Sequence, residues 1–323
     1  MIISRTPYRI SFGGGGTDLP AFYREECGAV LSATIDRHIY VNIHPRFDTN
    51  YRIAYSKTEI VTRVQDMQHE LVREALRLTE VDEPLEITTI GDVPAGTGMG
   101  SSSSLTVGLL VALYGYQGRM VSSERLASEA CRIEIDVLKK PIGRQDQYAA
   151  AYGGLNLIRF HDDSNVVVEP VVCRPETLAE LEAHLLVLYT NTSRKADTIL
   201  KQQQDATSKH TSTLRQMREI AEAMRNTLSG SSSIREFSDL LAQGWRLKAS
   251  LGCGITNGHI DEMYTAALGC GAWSGKLLGA GGGGFLLLLA PPECHQAIWE
   301  RLKRPTRLPV QFTRRGGHTI FLG

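Results

Sequence analysis

Nowhere in its 323 residues does the chain carry Gly-x-x-x-x-Gly-Lys-Ser/Thr, which excludes a P-loop as its means of holding nucleotide phosphates. Cysteine is sparse. The six (Cys27, Cys131, Cys173, Cys253, Cys270, Cys294) form no Cys-x-x-Cys, and no histidine pair has zinc-site spacing, so a metal module is not in prospect. They read as reduced, structural thiols of a cytoplasmic protein. An excess of either charge is also missing: 35 basic and 35 acidic residues balance, leaving no electrostatic footprint for nucleic acid or an anionic membrane. No apolar run reaches the roughly 18 residues of a membrane span, and Arg5 and Arg9 interrupt the N-terminus before an export signal can form. The expected partner is therefore a small molecule, with no nucleic acid and no membrane, and anion specificity must come from local basic clusters. A homodimer stays open.

What the chain does have is glycine in three dense clusters. Pro94-Ala-Gly96-Thr-Gly98-Met99-Gly100-Ser101-Ser102-Ser103-Ser104 runs directly into the apolar stretch Leu105 to Tyr114. Glycines let backbone N–H groups approach an anion, serines add hydroxyl donors, and the following helix presents unpaired N–H groups and its positive end. This is a cradle for a nucleotide triphosphate. A Rossmann fingerprint would need glycine where Ser101 stands. A flexible linker would not be followed at once by a mostly apolar helical run.

Length favours two domains, divided near residue 175 (1–175 and 176–323). In the first half Tyr8 to Phe12, His38 to His44, Tyr51 to Tyr55, Leu85 to Ile90 and Leu155 to Phe160 read as strands. Helical spacing is read over Glu59 to Thr79 (Ile60, Val64, Met67, Leu71, Leu76) and from Ser122 or Ser123 to about Lys140. The second half offers strand Leu185 to Thr190, a long polar helix from Ser193 to about Leu228, and helices Ile234 to Leu251, His259 to Leu268 and Glu293 to Lys303. Strands are expected at Phe285 to Ala290, Leu308 to Phe312 and His318 to Leu322. Interleaving in both halves predicts an α+β architecture.

One carboxylate is out of place. Plotted at about 100° per residue from Leu126, Glu134 falls at about 80°, within an apolar arc of Ile133, Val137, Ala130, Ala127, Leu138, Cys131 and Ile135. It is directed inward, where it must meet a cation, a metal or a side chain; a structural salt bridge and a nucleotide-bound magnesium ion are both open. Twelve residues on, Asp146 suits either a helix N-cap or the base that accepts a hydroxyl proton in phosphoryl transfer. The glycine-rich element Lys276 to Phe285 permits either a tight bend into the next strand or close backbone approach. In Phe12-Gly13-Gly14-Gly15-Gly16-Thr17-Asp18, Thr17 and Asp18 suit the hydroxyls of a polyol or a simple turn.

Three glycine-rich elements in this order, with Glu134 and Asp146 between the second and third, resemble the GHMP small-molecule kinases over nearly the whole chain. The resemblance implies an N-terminal domain like ribosomal S5 domain 2, a ferredoxin-like C-terminal domain, and a site between them that binds ATP and Mg²⁺. By it, Pro94, Gly96, Gly98, Met99, Gly100, Ser101, Ser102 and Ser103 bind nucleotide, Ser102 and Glu134 ligate Mg²⁺, and Asp146 is the catalytic aspartate with Arg9 close by. Gly15, Gly16, Thr17 and Asp18 stand where galactokinases contact sugar. Gly15-Gly16 replace their Glu-His, which removes two contacts and makes room. Gly281 and Gly282 belong to the motif that supports the acceptor site. Arg5-x-Pro7-x-Arg9 through Asp18, Ser32 to Arg37 and Gly143 to Ala150 most resemble the heptose 7-phosphate kinases of the family. That implies transfer to the anomeric O1, giving the 1,7-bisphosphate en route to GDP-heptose for surface polysaccharide; the alternatives are a galactokinase-like or fucokinase-like kinase of an unphosphorylated sugar and a non-catalytic nucleotide or sugar sensor. Arg37, Lys140, Arg144, Arg194 and Lys195 are the basic candidates for the 7-phosphate, with Ser193-Arg194-Lys195 at an expected helix start.

Overall fold

A computed structural model describes residues 1–162, 165–192, 200–201, 207, 210–230, 232–252 and 254–323. The chain opens with β1 (Ile2–Gly13), a short helix α1 (Pro20–Tyr23) and the 18-residue β2 (Gly28–Pro45). Then come β3 (Tyr51–Ala54), β4 (Thr58–Val61), α2 (Glu70–Thr79), β5 (Leu85–Gly91) and α3 (Ser101–Tyr116). α4 (Ser123–Cys131), a π-helical segment Arg132–Val137, α5 (Gln145–Tyr152), β6 (Leu155–Phe160) and β7 (Val166–Pro170) complete the first half. β2 pairs with β1 along one edge and shares the other between two strands: Gly28 to Ala33 pair with β6 and Ile39 to Pro45 with β5. Its first half is buried on both faces, as its run of small and β-branched residues allows. α3 is buried nearly all round from Ser103 to Tyr114, so the helix that begins at the serine run is the central pillar of this layer.

After α6 (Pro175–His184) and β8 (Leu185–Tyr189), helices Thr211–Ser229, Ile234–Ser250 and Gly258–Gly269 lead to β9 (Ser274–Leu277) and the wholly buried β10 (Phe285–Leu289). The second sheet is antiparallel, β8–β10–β9, and a single bridge from Leu188 to Arg307 stands where a fourth strand would close the ferredoxin-like βαββαβ outline. The last strand, β11 (His318–Leu322), pairs with β1, so the chain past residue 175 ends by returning to the first sheet. One apolar core joins the layers: the Phe12 ring meets Phe237 edge-on at 5.4 Å. Among the described residues no helix is long and apolar enough to cross a membrane.

Most expected elements are present, with instructive exceptions. Glu59 to Thr79 is not one helix. Thr58–Val61 pairs with β3, Ile60 is 61% exposed, and the helix starts only at Glu70, so the helical spacing of Ile60 and Val64 was coincidental. Leu308 to Phe312 forms only a bridge, Ile35 to Phe312, and β9 was not anticipated because its glycine and lysine weaken the strand pattern. The helix expected from Ser123 to Lys140 is α-helical to Cys131 and then widens into the π segment, which ends before a left-handed Lys139. That change of phase turns Val137 outward at 47%, while Glu134, near the start of the segment, stays at 0% exposure. Of the long helix from Ser193, Thr211–Ser229 is seen, and residues 193–199 lie outside the described part.

Candidate active site

A cavity of about 600 Å³ opens between the two layers, lined by the first glycine turn, the Gly96 to Ser103 loop and residues of β9 and helix Ile234–Ser250. Gly96, Gly98 and Gly100 all have positive φ (77°, 85°, 76°), which side chains rarely adopt. Gly98 is also packed against the other layer: a Cβ there would lie 2.4 Å from the Leu278 carbonyl oxygen. The second and third glycine clusters thus meet backbone to backbone, and the third one braces the loop. Gly100 caps α3 in the left-handed conformation with no side-chain cap, so the first-turn N–H groups face the cavity. Pro94 and Met99 do not line it. The Pro94 carbonyl accepts from Thr97 Oγ1 (2.9 Å), and Met99 is fully buried, its carbonyl taking the Arg9 N–H (3.2 Å).

At the head of α3, Ser102 Oγ donates to Glu134 Oε1, and Gln147 Nε2 donates to Oε2 at 2.8 Å. Burial raises the Glu134 pKa, opposed first by the Ser102 and Ser103 hydroxyls and then by Lys140 and Gln147. The inward carboxylate therefore meets hydroxyl and amide donors and not a direct salt bridge. Lys140 stands at the same place: its Nζ lies 3.0 Å from Glu70 Oε1 and 3.4 Å from Ser102 Oγ, and it lines the cavity at the rim of the serine loop.

Asp146, in the first turn of α5, is gripped by Arg9, whose Nε and Nη2 donate to its two oxygens at 2.7 and 2.6 Å. The third arm of Arg9 donates to the Gly98 carbonyl (2.6 Å), tying the pair to the loop. A Cβ on Gly100 would lie 3.2 Å from Asp146 Oδ2, which places the carboxylate against the start of α3. Its side chain is 22% exposed and lines the cavity. As an N-cap it is misplaced, being inside the helix.

Across the cavity, Asp18 accepts from the Gly16 N–H (2.8 Å) and from Gln145 Nε2 (3.0 Å). Burial raises its pKa, partly offset by the Gly16 N–H. Gly143 allows this approach, since a Cβ there would sit 1.9 Å from Asp18 Oδ2. Gly15 and Gly16 line the cavity as expected, but Thr17 does not. Its hydroxyl is spent on the carbonyls of Gly14 (2.8 Å) and Ala29 (3.0 Å), a turn role. Gly281 and Gly282 are likewise elsewhere, packed on Ile255, and Gly279 and Ala280 line the cavity instead. Arg144 lies over the Tyr23 ring (5.1 Å), and Arg37 donates to the Pro309 carbonyl (2.6 Å); neither lines the cavity. Ser193, Arg194 and Lys195 lie outside the described residues.

Four lining residues with polar side chains were not named as site residues: Ser11, Gln145, Lys248 and Lys276. Lys276 Nζ donates to the Ser11 carbonyl (2.6 Å), and Lys248 Nζ to that of Gly15 (3.4 Å). Burial, then the neighbouring Lys248 and Arg9, lowers the Lys276 pKa to about 7. Burial lowers that of Lys248 to about 8, opposed by Asp18.

An uncapped helix start lined with serines, facing a polar pocket across one arginine-held carboxylate, defines a small-molecule phosphotransferase. The family model for the GHMP kinases N terminal domain matches residues 62–154, and that for GHMP kinases C terminal matches residues 212–306. The chain belongs to the GHMP kinase family and is a phosphotransferase. It is 29% identical over 320 residues to the D-glycero-alpha-D-manno-heptose 7-phosphate kinase of Campylobacter jejuni, covering 94% of this chain and 93% of the relative. The crystal structure of a D-glycero-D-manno-heptose 1-phosphate kinase from Bacteroides thetaiotaomicron matches with a TM-score of 0.84 at 24% identity, over 100% of both chains. Lactococcus lactis galactokinase complexed with galactose matches with a TM-score of 0.75 at 17% identity, over 98% of this chain and 94% of that one. These two likenesses establish the α+β kinase fold.

Proposed function

We propose that the chain transfers the γ-phosphoryl group of ATP to the anomeric O1 of D-glycero-α-D-manno-heptose 7-phosphate, yielding the 1,7-bisphosphate on the way to GDP-heptose for surface polysaccharide. The observation that carries this reading is the Arg9-held Asp146 carboxylate, set against Gly100 at the head of α3 and open to the pocket of Asp18 and Gln145. The 29% identity to the C. jejuni enzyme along almost its full length supports the choice of sugar. In this mechanism the open N–H groups at the start of α3 and the Ser101 to Ser103 hydroxyls bind the phosphates, with Lys140 beside them. Asp18, fixed by Gly16 and Gln145, accepts hydrogen bonds from sugar hydroxyls. Asp146 takes the O1 proton as the new bond forms, and Arg9 holds its carboxylate in line.

A buried carboxylate beside a serine hydroxyl is a hard-oxygen donor set that suits Mg²⁺, an ion that prefers one or two protein ligands plus substrate phosphates. Ser102 and Glu134 would hold it, and when bound it supplies charge neutralisation on the phosphate oxygens. The test is ADP release by the purified protein with heptose 7-phosphate, heptose, galactose and fucose, with product position read by NMR. Preference for a free sugar would replace the proposed acceptor, and no turnover with any sugar would reject the reaction.

A further inference from the structure

We propose that Lys248 and Lys276, with the Ser11 hydroxyl, form the pocket for the phosphate monoester that the acceptor already carries. The inference rests on the reading above, that the acceptor is a phosphorylated sugar. Both lysines come from the second layer, Lys248 from the last turn of helix Ile234–Ser250 and Lys276 from β9, and both reach across to β1 and the first glycine turn. That is the acceptor side of the cavity, apart from the Ser101 to Ser103 loop with which Lys140 is engaged.

Three observations point to an anion there. First, the ammonium groups of buried Lys248 and half-buried Lys276 line one cavity, held on the carbonyls of Gly15 and Ser11, and Lys248 and Arg9 both disfavour charge on Lys276. Bringing like charges together in a partly enclosed cavity costs free energy that a bound dianion offsets. Second, among the described residues no carboxylate pairs with Lys276; its hydrogen bonds go to the carbonyls of Ser11 (2.6 Å) and Phe12 (3.5 Å). Carbonyls orient an ammonium without neutralising it. Third, Ser11 is 5% exposed and lines the cavity, yet its Oγ has no hydrogen-bond partner among the described residues. Ser11 lies two residues from Arg9 and so on the same face of β1. An unpaired buried hydroxyl beside two cations is a donor waiting for an acceptor. The basic residues first considered for this role are accounted for elsewhere or lie outside the described part.

The experiment measures discrimination, the ratio of kcat/KM for heptose 7-phosphate to that for heptose, in the wild type, Lys248→Gln, Lys276→Gln and Ser11→Ala. Isothermal titration calorimetry of heptose 7-phosphate without nucleotide runs alongside. Each lysine variant should lower the ratio by about 10- to 100-fold and Ser11→Ala by about 5-fold, mostly through KM of the phosphorylated acceptor. Ser11→Ala loses only one hydroxyl, so it reports on the pocket should a lysine variant fold poorly. Equal losses on both sugars, leaving the ratio as in the wild type, would overturn the assignment. A wild type that prefers unphosphorylated heptose overturns it while leaving a sugar kinase. Heptose 7-phosphate that binds in the calorimeter, weakens in the lysine variants and is never turned over keeps the pocket and rejects the reaction. Neither binding nor turnover overturns both.

Discussion

Glu134→Gln should move activity and stability in opposite directions. The carboxylate is fully buried, and burial raises its pKa because two hydrogen bonds do not repay the lost hydration of a charge. Glutamine has the same shape. Its oxygen can accept from Gln147 Nε2 and its NH₂ can donate to Ser102 Oγ, whose own hydrogen then turns to the open cavity. Removing the buried charge should leave the metal-free protein unchanged or more stable by about 1–2 kcal/mol. The same change takes away the negative ligand that Glu134 offers to a cation beside Ser102. Losing one such electrostatic contact at a phosphoryl-transfer site costs about 3–4 kcal/mol, or roughly 10²- to 10³-fold in kcat/KM. The assay is ADP release titrated with Mg²⁺, paired with scanning calorimetry of metal-free protein. The Mg²⁺ midpoint should rise and the melting temperature should hold or rise. A melting temperature lower by more than about 8 °C with an unchanged Mg²⁺ curve would make Glu134 a structural hydrogen-bonding residue and refute the reasoning.

Asp146→Asn should lower kcat by roughly 10²- to 10⁴-fold with ATP affinity retained, measured by equilibrium nucleotide binding beside turnover; activity within 10-fold of wild type would remove Asp146 from the chemistry. Gly98→Ala places a methyl 2.4 Å from the Leu278 carbonyl oxygen at φ 85°, so it should destabilise by about 2–4 kcal/mol in urea unfolding and abolish ATP binding; a neutral result would mean the two glycine clusters do not brace each other. The lysine pair predicts a pH dependence with two signs. An unfolded lysine keeps its proton to about pH 10.4, whereas Lys276, facing Lys248 and Arg9 and with Asp18 and Asp146 in the same cavity, loses it near 7. Between those values the unfolded state binds more protons, so the wild type should gain stability relative to Lys276→Met as pH rises from 7 to 10. Over the same range KM for a phosphorylated acceptor should climb, because binding must first reprotonate the lysine. Parallel urea midpoints for the two proteins would refute the shift.

The features legible in the sequence were those with a local physical signature. A glycine-serine run leading into an apolar helix gave the cavity-lining loop at the start of α3, and a carboxylate within a helical apolar arc gave the buried Glu134. Pairings that only the tertiary fold creates were not legible: nothing near Gly98 announces the Leu278 carbonyl, and nothing in Gly281-Gly282 says that Ile255 packs on them while Gly279 and Ala280 take the cavity. Thr17 misled because a threonine hydroxyl satisfies a turn as readily as a sugar. The π segment escaped because a fixed 100° step cannot register a widened turn, and Glu134 fell inward under either geometry only by its place near the start of that segment.

Lys248 is the telling omission, because the test that exposed Glu134 applies to it unchanged. The apolar stripe of helix Ile234–Ser250 runs Ile234, Phe237, Leu241, Trp245, and the next position at helical spacing is Lys248. A lysine that ends an apolar stripe can reach solvent past the helix end, so the pattern alone allows an ordinary surface charge. What removes that option is the other layer: β1 and the glycine turn close over the helix end, and Lys248 Nζ meets the Gly15 carbonyl in place of water. A misplaced charge on a helix is thus legible from one strand of sequence, but whether it is buried depends on what the rest of the chain folds against it. In this protein Glu134 lies buried behind Ser102, which lines the cavity from the head of α3, and Lys248 lines the same cavity from the second layer.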